Sequence, residues 1–247
     1  MFEIRNLTKT YKGAKKPAIK NLNLTVKSGE IFGFLGANGA GKSTTIKCIS
    51  GILGSDQGNI ELDGIDSKTN PIAFKKLLGY VPDMSNAFER VTGYDYVWHT
   101  ARLYDTIHNL DKKIMELAKK FNLEHAIKRQ IKTYSHGMKQ KLNMMAALIH
   151  SPRLWLLDEP MTGLDPQSTS DLIAFMREYV KDGKNSLMFS SHILNIVENL
   201  CDRVAIIHEG ELRAIYDMND LMKHKNLGEA YMSVVNNEEQ LCGQEPN

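Results

Sequence analysis

The stretch that decides the fold reads Gly36-Ala37-Asn38-Gly39-Ala40-Gly41-Lys42-Ser43. It matches the pattern G-x-x-x-x-G-K-[ST] at every fixed position, and it lies between the apolar segment Ile31–Leu35 and a helical pattern over Lys42–Ile52. Glycines let a backbone wrap around phosphate oxygens with its N–H groups pointing inward, and a helix N-terminus adds the positive end of its dipole. The stretch therefore predicts a nucleotide-phosphate loop.

The side chains at the end of this loop have separate expected roles. Lys42 should reach the β- and γ-phosphates, and the Ser43 hydroxyl should coordinate Mg²⁺. Thr44 is placed to touch the α-phosphate. A nucleotide phosphate and Mg²⁺ are therefore the expected ligands, although the loop alone identifies a large superfamily and no particular reaction.

Two adjacent acids, Asp158 and Glu159, follow the apolar strand pattern Leu154–Leu157. Successive strand side chains point to opposite faces, so acids at a strand end can take different roles. Asp158 is expected to hold Mg²⁺, and Glu159 to orient and deprotonate the attacking water. The alternative is an exposed acidic turn before Pro160.

Strand patterns alternate with helical ones along most of the chain, which favours an α/β architecture. The middle differs, since from about Thr92 to Ile149 only helical periodicity is found. This pattern predicts an all-helical insertion in an α/β core. The polar tail after Tyr216 is expected to fray over its last ten residues or so.

The amino-acid composition argues against several classes of function. The 247 residues carry 31 Lys+Arg against 29 Asp+Glu, a net charge of +2, so nothing suggests a polybasic surface for nucleic acid. The three cysteines have no metal-ligand spacing, which favours a reduced cytosolic compartment. We expect neither a signal peptide nor a membrane span, and so a membrane role would require docking onto another protein.

The segment from Tyr134 to Leu142, read with the two motifs above, resembles the ATP-binding cassette (ABC) transporter family, in particular its bacterial exporters. It lies where that family has its Leu-Ser-Gly-Gly-Gln signature. The resemblance implies that two cassettes pair head to tail and that Ser135 and Gly137 cap the γ-phosphate held by the partner. A serine and a glycine N–H at a helix N-terminus suit an anion.

Other family elements correspond to single positions. Gly163-Leu164-Asp165 resembles the loop that crosses the dimer interface, and His192 resembles the histidine that contacts the γ-phosphate. Tyr11 resembles the aromatic residue that stacks on adenine, with an ordinary surface tyrosine as the alternative. Lys42, Glu159 and His192 are thus the expected catalytic residues.

Two departures from the family pattern bear on function. Asp83 follows the strand pattern Gly79–Pro82 where the family usually has glutamine. Its carboxylate could bind Mg²⁺ with Ser43 and Asp158, or it could be a spacer before the helical insertion. His136 replaces the first signature glycine, either as a pH-sensitive contact or as an exposed residue at a helix N-terminus.

The resemblance implies a P-loop NTPase (RecA-like) core with an N-terminal antiparallel β-subdomain and an inserted all-helical subdomain. Residues 1–83 and 151–215 would form the core, 84–150 the helical subdomain and 216–247 a C-terminal extension within one domain. The implied protein is an ATPase on the cytoplasmic face of the membrane, paired with a second cassette and an integral membrane permease, with no nucleic-acid partner. A soluble cassette acting on ribosomes or DNA and a nucleotide-sensing regulator are the alternatives.

Overall fold

A computed structural model describes residues 1–83 and 89–236 of the chain. Its larger sheet has six strands in the order β10-β9-β3-β8-β7-β6, and all neighbours pair in parallel except β10 with β9. Every residue of the central strands β3, β7 and β8 is buried, as expected where both faces of a parallel sheet are covered. The strands are β3 Ile31–Leu35, β6 Leu78–Val81, β7 Leu154–Leu157, β8 Ser186–Ser191, β9 Arg203–His208 and β10 Glu211–Asp217.

A smaller antiparallel sheet packs against one face of this parallel sheet, in the order β2-β1-β4-β5. Its strands are β1 Phe2–Lys9, β2 Ile19–Val26, β4 Gln57–Leu62 and β5 Ile65–Asp66. Phe2 and Ile4 of β1 are buried in one cluster with Phe32 and Phe34 of β3. This shared core holds the smaller sheet beside the strand that precedes the glycine-rich loop.

Helices cover the remaining surfaces. The core carries α1 Lys42–Ile49, α2 Pro71–Lys76, α6 Pro166–Val180, α7 Leu194–Leu200, α8 Met218–Leu221 and α9 Leu227–Val235. Between β6 and β7, the described residues form α3 Gly93–Leu103, α4 Leu110–Lys120 and α5 His136–Leu148, and their only β-type pairing is an isolated bridge. Thr92 caps α3 by accepting a hydrogen bond from the Asp95 backbone N–H.

A seam of buried contacts joins the helical insertion to the parallel sheet. The His150 ring stacks on Tyr104 with 3.8 Å between centroids, and its Nε2 lies 3.1 Å from the Leu78 carbonyl oxygen. Burial lowers the pKa of His150 to about 4, so the imidazole is neutral in the physiological range. At the surface beside it, Lys76 pairs with Asp105 at 2.6 Å.

The expected fold class is confirmed, with differences in detail. The first helix ends at Ile49 and not at Ile52, and helix α2 was not predicted. Within the predicted extension 216–247, α9 buries Leu227, Ala230 and Val234 against the core. The segments 84–88 and 237–247 lie outside the described residues, and the expected fraying of the last residues falls among them. In the part of the chain that the structure describes, no helix has the length and apolarity needed to cross a membrane.

Candidate functional site

The glycine-rich loop joins β3 to α1, and its shape depends on two close backbone approaches. A Cβ atom on Gly36 would lie 2.6 Å from the carbonyl oxygen of Ile207. Gly41 has φ +111°, and a Cβ atom there would lie 2.7 Å from the carbonyl oxygen of Ala18. Only glycine fits either position without a shift of the backbone. The loop is therefore held in one shape by the strands around it.

Lys42 is the first residue of α1, and its side chain is only 5% exposed. Its Nζ donates to the Gly36 carbonyl at 2.7 Å and lies 3.3 Å from Oε1 of Glu159. The ammonium group thus closes the loop and meets the second acid of the carboxylate pair. The positive charge lies at the N-terminus of α1, where a bound anion is favoured.

Asp158 follows β7 directly and is 2% exposed. Its Oδ1 accepts hydrogen bonds from Ser190 at 2.7 Å and from Ser43 at 3.2 Å. Burial raises the pKa of Asp158, the two serine hydrogen bonds oppose that shift, and the nearby carboxylates of Asp83 and Glu159 raise it further. A buried acid under this repulsion gains from a bound cation.

Glu159 lies at the turn after Asp158 with a left-handed backbone, φ +47°. Its backbone N–H donates to Ser190 Oγ at 3.0 Å, and its Oε2 lies 3.0 Å from Nδ1 of His192. The carboxylate is thus held between the Lys42 ammonium and the His192 imidazole. It is 14% exposed and His192 is 49% exposed, so the pair opens onto solvent.

Ser190 is the site residue that sequence reasoning missed. Through one hydroxyl it joins the Asp158 carboxylate to the Glu159 backbone N–H. The available signal was its position at the end of a buried strand, two residues before His192. Since β8 lies next to β7 in the sheet, a hydroxyl there can reach both acids.

Asp83 lies two residues beyond the end of β6, with an exposed side chain. Burial raises the pKa of Tyr80 to about 12, and the charges of Asp158 and then Asp83 add to that effect. Asp83 follows β6 and Asp158 follows β7, and these strands are parallel neighbours, so both acids lie at the same edge of the sheet. Ser43 contacts Asp158 there, and the binding of Mg²⁺ by the three residues stays a prediction.

The chemistry of this donor set suits Mg²⁺. Ser43 and Asp158 offer hard oxygen atoms, and their side chains are already 3.2 Å apart. Within 1–83 and 89–236, no group of three His, Cys, Asp or Glu residues could enclose a metal ion. A site with one or two carboxylates is typical of Mg²⁺ bound together with phosphates and water.

The chain is similar to known proteins of one family. The ABC transporter family model matches residues 19–162. The linearmycin resistance ATP-binding protein LnrL of Bacillus subtilis (strain 168) is 36% identical over 222 residues, covering 90% of this chain and 70% of that protein. The ABC-type transporter ATP-binding protein EcsA of the same organism is 34% identical over 240 residues, covering 95% and 96%.

The chain belongs to the ABC transporter family. It is an ATP-binding subunit of that family, and ATP hydrolysis is its activity. A solved structure described as the ATP-binding subunit of an ABC transporter is similar to it with a TM-score of 0.87 at 28% identity, covering 95% of this chain and 99% of that one.

Tyr11 is the residue predicted to stack on adenine. Its hydroxyl lies 3.2 Å from Thr44 Oγ1, just beyond the phosphate loop, and the side chain is 45% exposed. An exposed aromatic ring beside the loop could lie against a base, so stacking stays a prediction.

The predicted signature residues, Ser135 and Gly137, lie at the N-terminus of α5. Ser135 caps α5 by accepting from the Met138 backbone N–H at 3.3 Å, and a Cβ atom on Gly137 would lie 3.5 Å from Leu164 Cδ2. Among the described residues, no hydrogen bond joins Ser135 to the phosphate loop of its own chain. Their contact with a nucleotide held by a second chain stays a prediction.

Proposed function

We propose that the chain is the motor subunit of a bacterial exporter, hydrolysing ATP with the residues gathered around the phosphate loop. The observation that carries the proposal is the row Lys42, Glu159 and His192. An ammonium group and an imidazole lie 3.3 Å and 3.0 Å from the two oxygens of one carboxylate. The row stands at a helix N-terminus suited to phosphate.

Each of these side chains would have a distinct role in hydrolysis. Lys42 binds the terminal phosphates, and the backbone N–H groups of the loop hold the rest of the triphosphate. Glu159 accepts a proton from the attacking water, and His192 fixes the direction of its carboxylate. Ser43, Asp158 and Asp83 would hold Mg²⁺, which neutralises charge developing on the phosphates when bound.

The proposed active form is a head-to-tail pair of cassettes. Ser135 and Gly137 are at the N-terminus of α5, away from the hydrogen-bond network of their own phosphate loop. In the pair they would complete the partner's site, with the hydroxyl and a backbone N–H donating to the γ-phosphate. The second subunit is a copy of this chain or a close relative.

The proposed membrane partner is an integral permease, which would place the chain at the cytoplasmic face of the membrane. A groove between the α/β core and the helical insertion would receive it. The groove is lined by Ile52, Lys75, Tyr80, Tyr96 and Tyr104, and Ile52 is 63% exposed. Strand β6 lines this groove and ends two residues before Asp83. A helix of the permease bound in the groove would therefore lie close to the proposed Mg²⁺ ligands. Within this frame we propose residues 84–150 as the helical subdomain.

Export is the proposed direction because the similar protein LnrL is named for linearmycin resistance. The substrate is set by the permease and is not encoded by the residues of this site. No feature of the described residues favours the alternative of a soluble cassette that acts on ribosomes or DNA.

ATP hydrolysis by the purified chain tests the proposal. Lys42→Ala should lower the ATPase rate at least about a hundredfold and weaken ATP binding, because it removes the charge that faces the terminal phosphates. The matched control is Lys47→Ala, five residues along the same helix and exposed to solvent, which should keep the wild-type rate. Near-normal turnover by Lys42→Ala would reject the assignment of the loop.

A further inference from the structure

We propose that His136 is a positioning residue that couples the two ATP sites of the cassette pair through its contact with Gly163. The inference rests on the proposed head-to-tail pair. It concerns the position where this chain departs from the usual signature glycine, so the contact is not part of the family pattern.

The contact is close and involves the ring itself. A Cβ atom on Gly163 would lie 2.8 Å from Nε2 of His136 and closer still to its Cδ2. The imidazole therefore occupies the space that any larger residue at 163 would need. Gly163 also has φ +76°, which favours glycine for a second reason.

Gly163 belongs to a short segment that begins at the proposed catalytic base, which we call the 159–165 loop. Inside it, the Thr162 N–H donates to the Glu159 carbonyl at 3.1 Å, and the Leu164 N–H donates to Met161 at 3.3 Å. Its last residue, Asp165, caps α6 by accepting from the Ser168 N–H at 2.9 Å. These hydrogen bonds link the backbone on both sides of Gly163 to Glu159 and to the start of α6.

Other contacts of α5 reinforce the same junction. A Cβ atom on Gly137 would lie 3.5 Å from Leu164 Cδ2. Hydrogen bonds from Ser168 lower the pKa of Asp165, and the Lys141 ammonium on α5 lowers it further. The first turns of α5 and the 159–165 loop thus form one contact unit at the protein surface, where the exposed His136 ring lies over Gly163.

This unit joins groups that serve different nucleotides. In the proposed pair, Ser135 of one chain contacts the nucleotide held by its partner, whereas Glu159 of that chain acts on its own nucleotide. His136 lies next to Ser135 in sequence and touches the loop that carries Glu159. Binding of the partner's ATP would therefore order the base at the first site, and the two sites would respond together.

The coupling is tested by ATPase rates against ATP concentration, at a protein concentration that saturates the specific activity. The wild type should give a Hill coefficient clearly above 1. His136→Gly should bring it close to 1, while the half-saturating ATP concentration changes less than about twofold, since the phosphate loop is untouched. His136→Phe keeps a ring against Gly163 and should retain the cooperativity.

The contact itself is tested without nucleotide, by a double-mutant cycle on melting temperature. Gly163→Ala should lower it by at least about 4 °C more in the wild-type chain than in the His136→Gly chain, because only the former has the ring in place. Gly64→Ala is the matched control, since Gly64 has φ +81° and nothing within 4 Å of its Cβ position. Gly64→Ala should lower the melting temperature by the same amount in the wild-type and His136→Gly chains.

The outcomes separate the two proposals. An unchanged Hill coefficient in His136→Gly, or a wild-type value of 1, would overturn the coupling. If Gly163→Ala lowers the melting temperature equally in the wild-type and His136→Gly chains, the contact on which the coupling rests would be overturned. A wild type that hydrolyses no ATP would contradict the proposed function instead, and the cycle would still decide whether His136 fixes the 159–165 loop.

Discussion

Nδ1 of His192 lies 3.0 Å from Oε2 of Glu159, so the imidazole directly contacts the carboxylate proposed as the general base. The two residues come from different strands, since Glu159 follows β7 and His192 follows β8. These strands are neighbours in parallel register, which brings their carboxyl ends together. The contact gives each residue a separate, testable role.

Glu159→Gln should leave ATP binding intact and slow hydrolysis by about 10²–10⁴-fold, because an amide cannot accept the proton from water. With ATP and Mg²⁺ the variant should then accumulate as a dimer, measured by size-exclusion chromatography. Glu124→Gln, on the exposed surface, is the control and should hydrolyse ATP normally. A Glu159→Gln protein that stays monomeric at high concentration, with the membrane partner present, would contradict the paired arrangement.

His192→Ala should lower kcat by about a hundredfold with little change in KM, since the base is still present but its carboxylate is no longer held in place. The measurement is steady-state ATPase kinetics, with exposed His125→Ala as the control. If His192 instead binds ATP in the ground state, KM would rise and kcat would change little.

Asp83 is tested by Mg²⁺ titrations of the ATPase. If its carboxylate is a metal ligand, Asp83→Gln should raise the Mg²⁺ concentration needed for half-maximal activity while keeping substantial turnover. Asp83→Ala should be worse, because it leaves no oxygen for the metal. Superimposable titrations for all three proteins would show that Asp83 is a spacer before the helical insertion.

Asp158→Asn should stabilise the nucleotide-free protein at neutral pH, although it removes an expected Mg²⁺ ligand. Burial raises the pKa of Asp158 in the folded chain above its unfolded value, so the folded chain binds more protons. The contribution of Asp158 to stability is therefore highest below the unfolded pKa of about 4 and falls as pH rises through the folded pKa. Asp158→Asn has no carboxyl group to ionise at this position, so it does not lose stability in this way as pH rises.

Thermal melts from pH 4 to pH 8, without nucleotide or Mg²⁺, check this prediction. The gain in melting temperature from Asp158→Asn should grow with pH, while exposed Asp182→Asn should show no such trend. A gain that is absent at pH 8, or that is larger at pH 4, would show that the buried charge is not a cost to the empty protein.

Much of the site was predictable because it depends on local sequence. Gly36 and Gly41 are required by backbone approaches that a fixed motif encodes, and the strand before Asp158 is a plain apolar run. Ser190 was missed, since its role depends on β8 lying beside β7 and the position of a serine near a strand end does not specify that neighbour. Helix α9 was missed because its apolar residues stand in a polar tail, and only their packing on the core shows their purpose.

The 3.3 Å approach of Lys42 to Glu159 has a consequence for ATP binding. Each group neutralises the charge of the other, and an unpaired charge would be costly at this depth. A γ-phosphate bound at the loop would compete with Glu159 for the lysine. Lys42 would then exchange one anion for another, and the Glu159 carboxylate would be released toward the attacking water.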